Sequence, residues 1–166
     1  MKFVFRVLAF SYGKLREYYY IRRYDIYREK YDVDSSFGFN GTDIRLYGNG
    51  NIFLGKNSYV GTNSTMQSCD DCKIIVGENC QISHNVRVYS SSTDPNQDFT
   101  KPKVKAILKG DVLIGDGVWI GANVFINPGV KIGSNTVIGA NSVVTKNLEA
   151  NSIYGGVPAK LIRHKN

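Results

Sequence analysis

The sequence contains no run of 18 or more apolar residues, so nothing in it reads as a membrane span. Its opening, MKFVFRVLAFSYGKL, lacks the small-residue cleavage site of a secretory signal, and the expectation is a cytoplasmic protein. Cysteine is scarce: Cys69, Cys72 and Cys80 are an odd number in a chain long enough to bury a core, which argues against a disulfide framework and for reduced thiols. The stretch CDDC has the C-x-x-C spacing, but one pair without a second Cys/His pair cannot complete a zinc tetrahedron, and no metal site is expected. Histidine is scarcer still, with only His84 and His164. Any chemistry that needs an imidazole has two candidates to choose from.

Acids are outnumbered, 14 against 21 Lys and Arg, for a formal net charge of +7. A nucleic-acid partner would need that excess spread over a binding face, whereas residues 1–31 hold eight Lys/Arg against three acids. The rest of the chain is nearly balanced, so no nucleic acid is expected. The same segment, 1–40, has no proline and seven of the eleven tyrosines between Tyr12 and Tyr31. It reads as one helix or two helical pieces that cap something, because an open solenoid end needs a cover. Its interleaved apolar and cationic residues also fit peripheral association with an anionic membrane surface.

From there the dominant signal is a period of six. Ile114, Ile120, Ile126, Ile132, Ile138 and Val144 fall at six-residue intervals, with Val112, Val118, Val124 and Val130 two residues before the first four. An earlier half repeats this with Leu54, Val60 and Met66, breaks register over SCDDCKI, and resumes with Val76, Ile82 and Val88. Helical spacing of three and four is absent. Each hexad is a short strand with a corner where small residues let the backbone turn, and three strands make a triangular coil. One coil cannot bury its apolar face, so coils must stack. The expected architecture is an all-β solenoid, a parallel β-helix over residues 41–154, with a basic tail at 155–166. Residues 89–105 carry no hexad and are expected to form a loop extruded between coils.

The block GDGVWIGANVFINPGVKIGSNTVIGANSVVTKNLEANSIYGGVPAKLIR closely resembles the hexapeptide-repeat acyltransferases, in particular the branch that O-acetylates sugars and bacterial polysaccharides. The resemblance is strong over 110–163, fair over 50–100 and absent over 1–40. It implies a left-handed β-helix, a homotrimer, acetyl-CoA bound between adjacent subunits, and a carbohydrate acceptor. Position by position, Trp119 matches the residue shaping the acetyl and pantetheine channel. Ala122 and Ala140 match small positions beside the coenzyme arm, and Thr145, Lys146 and Arg163 match residues meeting its nucleotide end, where phosphates favour cations. Members commonly place a catalytic histidine just after a hexad like VYSSS; here Thr93 stands at or next to it, and threonine does not titrate near neutrality. His84, two residues after the inward Ile82, should emerge at a corner, where other hexapeptide acetyltransferases place a histidine. The expectation is therefore direct acetyl transfer with His84 as general base, imidazole being the side chain suited to proton transfer near neutral pH. N-acetylation of an amino sugar and a non-catalytic binding solenoid are the alternatives.

Overall fold

The computed structural model describes residues 2–101 and 106–166, so 102–105 of the expected loop lie outside the described residues. One helix, α1 (Lys2–Lys30), precedes five stacked coils of three short strands each. They are β1 (Asp32–Val33), β2 (Gly38–Asn40) and β3 (Arg45–Tyr47); β4 (Asn51–Leu54), β5 (Tyr59–Gly61) and β6 (Thr65–Gln67); and β7 (Lys73–Val76), β8 (Gln81–Ile82) and β9 (Arg87–Tyr89). After an arm formed by β10 (Ser91–Thr93) and β11 (Ile107–Lys109), the coils resume with β12 (Val112–Ile114), β13 (Trp119–Ile120) and β14 (Phe125–Ile126). The last coil holds β15 (Lys131–Ile132), β16 (Val137–Ile138) and β17 (Val143–Val144), followed by β18 (Ser152–Gly155) and β19 (Lys160–His164).

Strands one full coil apart pair in parallel, giving three sheets: β1-β4-β7-β12-β15, β2-β5-β8-β13-β16-β18-β19, and β3-β6-β9-β14-β17, in which only β19 runs antiparallel. The chain is a left-handed parallel β-helix. Its core is made of columns. Val60, Ile82, Ile120 and Ile138 lie in register up the second sheet, and Met66, Val88, Ile126 and Val144 up the third. All eight are buried. The hexad residues of the sequence are these columns, and each inward methyl-bearing side chain meets its copies above and below.

The corners are made differently from expectation. Glycine takes the left-handed conformation at Gly117 and Gly129, but most such corners are turned by Asn: φ is 57° at Asn85, 60° at Asn123 and 61° at Asn141. Asn tolerates this region because its short side chain bonds locally. Here the amides also bond one another between coils, Asn85 Nδ2 to Asn123 Oδ1 at 2.7 Å and Asn123 Nδ2 to Asn141 Oδ1 at 2.9 Å. The glycine after Ile120 serves close approach instead: a Cβ on Gly121 would lie 2.6 Å from the Ala140 nitrogen.

The solenoid begins at Asp32, inside the segment expected to be a helical cap, and the expected tail folds back as β19 on β18. Only the second half of α1 meets the coils. Tyr20, Tyr27 and, just beyond, Tyr31 are buried, and Tyr24 stacks on Phe39 with ring centroids 4.6 Å apart. The hydroxyls serve the rim below the first coil, whose carbonyls have no further strand to meet. Tyr24 donates to the Gly41 carbonyl at 2.6 Å, Tyr31 to that of Gly48 at 3.3 Å, and Tyr20 to Asp43 Oδ1 at 2.7 Å. Burial pushes Tyr24 up to about 12, so it stays a donor. The first half of α1 stands clear, with Phe3, Phe5, Leu8 and Phe10 exposed. No helix among the described residues is long and apolar enough to cross a membrane.

Candidate active site

His84 follows β8 at the corner between the second and third sheets, exposed, with Asn85 turning the chain beside it. The corner stacks. Asn85 N–H donates to the Thr62 carbonyl, Asn123 N–H to the His84 carbonyl at 3.0 Å, and Asn141 N–H to the Ala122 carbonyl at 2.8 Å. Thr62, His84, Ala122 and Ala140 are thus successive residues up one edge of the solenoid. Above the imidazole this edge carries only methyl groups, so a long ligand can lie against backbone there.

Gly61 makes the room for the imidazole: a Cβ at that position would meet Nδ1 at 2.6 Å. Nδ1 accepts the backbone N–H of Thr62 at 3.0 Å. This hydrogen bond fixes the tautomer. A nitrogen that accepts carries no proton, so neutral His84 holds its proton on Nε2 and offers a donor to solvent.

On the adjoining face, the outward positions of the second sheet form another column. Gln81 pairs with Trp119, Trp119 with Val137, Val137 with Ile153, and Ile153 with Arg163. Trp119 is 54% exposed and Arg163 is also exposed. At about 4.8 Å per rung, the indole and the guanidinium start roughly 14 Å apart along the sheet. Thr145 and Lys146 are not part of this assembly. They follow β17, at the corner beyond the third sheet, and are exposed there. Thr93 lies on the arm opposite Ile107, with an exposed side chain. The nearer of the two histidines to the sequence's end, His164, is on β19 with Nδ1 2.8 Å from the Ser152 hydroxyl. The cysteines take no part: all three are unpaired, and Cys72 and Cys80 are buried.

Sequence reasoning missed the partner of His84. Thr62 is 22 residues away and becomes a neighbour only through the coil register. It also passed over the Asn that follows His84, Ala122 and Ala140 at each step, a repeated signal that marks one edge.

Residues 111–146 match the family described as bacterial transferase hexapeptide (six repeats), and residues 51–90 match the hexapeptide repeat of succinyl-transferase. Among solved structures, the chain is 33% identical to a maltose O-acetyltransferase from Clostridium difficile 630. That match covers 89% of this chain and 76% of the other at a TM-score of 0.68. It is 26% identical to the polySia-specific acetyltransferase NeuO, over 80% of this chain and 60% of that one, TM-score 0.64. It is 25% identical to AntD, an N-acyltransferase from Bacillus cereus solved with dTDP and 3-hydroxybutyryl-CoA, over 79% and 73%, TM-score 0.65. Repeat, fold and identity agree, and the chain belongs to the hexapeptide-repeat acyltransferases.

Proposed function

We propose that the chain transfers an acetyl group from acetyl-CoA to a carbohydrate hydroxyl. The observation that carries this reading is the pairing of two columns: Trp119 and Arg163 on one outer face, His84 below Ala122 and Ala140 on the adjoining edge. A thioester arm laid along these columns would put its anionic end toward Arg163 and its acyl end toward His84. The sugar oxygen attacks the thioester carbonyl carbon, the C–S bond breaks, and the hydroxyl proton ends on the departing thiol. Holding both reactants in one cleft supplies much of the acceleration.

His84 has two roles open to it. As general base it must take the hydroxyl proton on Nε2, which requires the proton on Nδ1 and release of the Thr62 N–H. Kept as it stands, with Nδ1 bonded to Thr62, its Nε2–H is a donor suited to the oxyanion that develops on the carbonyl. The base is our first reading; the Thr62 hydrogen bond favours the second.

The resemblance implies a homotrimer, and in such an assembly the corner carrying Thr145 and Lys146 of one subunit would meet the coenzyme beside the His84 edge of the next. Under that reading Lys146→Ala with Arg163→Ala should weaken CoA binding and flatten its dependence on salt. Unchanged affinity in calorimetry removes both from the coenzyme site.

The reaction itself is tested with acetyl-CoA and a panel of neutral, acidic and amino sugars, following thiol release and product. A product cleaved by hydroxylamine is the expected ester, supported by the likeness to the maltose O-acetyltransferase. A stable amide would assign N-acetylation, in keeping with the likeness to the N-acyltransferase AntD. Binding of a sugar with no thiol released and no CoA bound would leave a binding solenoid.

A further inference from the structure

Around the corner from His84, the outer face of the third sheet holds an open cavity of about 670 Å³, lined in part by Arg23, Arg45, Arg87, Tyr47 and Tyr89. Its construction follows from register. Arg45 pairs with Thr65 and Thr65 with Arg87, while Tyr47 pairs with Gln67 and Gln67 with Tyr89. In both columns the outer two strands carry long side chains. In the arginine column the middle strand carries a short one, Thr65, leaving a trough between guanidiniums whose Cα atoms are two rungs, about 10 Å, apart. Beside it, separated by the pleat, stand the two tyrosines, and Tyr89 extends the aromatic strip to Phe125 at 5.4 Å between centroids.

The charge of this trough is not neutralised from within. Among the described residues no carboxylate pairs with Arg23, Arg45 or Arg87. The one acid in the wall, Asp43, is occupied by the Tyr20 hydroxyl and by Arg16 at 3.6 Å. Arg87 is held by the Asn63 carbonyl and Arg23 by the hydroxyls of Tyr27 and Tyr19, so both are fixed in place. The side chain of Arg45 has no hydrogen-bond partner among the described residues. Two planar donors facing across a gap recognise an oxyanion. An aromatic strip beside them offers a flat apolar surface to a sugar ring. Asn85 belongs to this cavity and is the neighbour of His84 in sequence.

We infer that this trough is the acceptor subsite and that the acceptor is an anionic carbohydrate, bearing a phosphate or a carboxylate that Arg45 and Arg87 hold. This rests on the transferase reading for its function, but its ligand chemistry can be tested without turnover. The protein is titrated calorimetrically with glucose, glucose 1-phosphate and glucuronate, at low salt and with added salt. One of the two acids should bind at least about tenfold more tightly than glucose, and the preference should fade as salt screens the arginines. Which acid binds better assigns phosphate or carboxylate.

Arg45→Ala removes a side chain with no hydrogen-bond partner among the described residues and should leave the fold intact, so it should reduce the preference by about tenfold; Arg45→Ala with Arg87→Ala should abolish it. Acids that bind no better than glucose, or a preference that survives in both variants, overturn the inference. CoA binding and thiol release are measured on the same samples. If they fail while the anion preference and its arginine dependence hold, the transferase reading falls and the anion site stands; the opposite result sinks the site alone.

Discussion

Replacing His84 with alanine is expected to lower kcat by at least about 10²-fold while CoA affinity stays nearly unchanged, because the loss is confined to the transition state. The glutamine variant separates the two roles. A glutamine amide can still donate from near the position of Nε2 but has no basic nitrogen. If His84 is the base, His84→Gln is as inactive as His84→Ala, and the acid limb of wild-type kcat/KM vanishes in both. That limb has a definite sign: protonation removes the accepting lone pair, so the rate falls as pH drops. If His84 instead donates to the oxyanion, His84→Gln keeps activity within about tenfold of wild type, and no acid limb arises from this residue, since imidazolium still carries Nε2–H. Thr93→Ala serves as the control on the arm, with an expected cost of no more than about tenfold, the size of a lost hydrogen bond of ~1 kcal/mol. A crippled Thr93 variant beside an active His84 variant would move the chemistry to the arm.

The second large effect is on stability. Ile120 is fully buried at the centre of the second-sheet column, between Ile82 and Ile138. Ile120→Ala should cost roughly 3 kcal/mol, since transfer energy and an unfilled cavity add in a stack that cannot collapse sideways. Its neighbour Trp119 points the other way from the same strand. Trp119→Ala should leave the unfolding midpoint within about 1 kcal/mol of the parent and instead raise the KM for acetyl-CoA. Denaturant midpoints and kinetics on the two variants check both halves. Similar stability losses in both would mean that the indole belongs to the structure and not to the channel.

The columns were readable in the sequence because three hexads close one coil: the six-residue spacing sets Ile114, Ile120 and Ile126 on successive sheets, and eighteen residues on, Ile132, Ile138 and Val144 stack on them. The first coil was not, for the same reason. Val33 and Phe39 are six apart there but Leu46 comes seven after Phe39, so the even spacing is lost, and the tyrosines that precede them, Tyr31 excepted, belong to a helix. The corner position of His84 followed from its distance to Ile82. Its hydrogen bond to Thr62 could not, because that depends on which earlier residue the register sets beneath it. Arg45 and Arg87 are likewise 42 residues apart in sequence; two rungs of strand pairing, with Thr65 between, bring them to one trough.

The tyrosine hydroxyls that take the carbonyls of Gly41 and Gly48 bear on a different matter, which is length. A repeat in which every coil is a template for the next contains no instruction to stop, and its two ends are mutually complementary. The upper end is partly closed by β19, which runs against β18 in the opposite sense and so cannot be continued by another parallel coil. The lower end would offer an unpaired rim to the top of a second molecule, a head-to-tail contact that does not close on itself and therefore grows into a filament. Helix α1 lays rings and hydroxyls over that rim from outside the repeat. It makes a polymerisable motif into a particle of defined size.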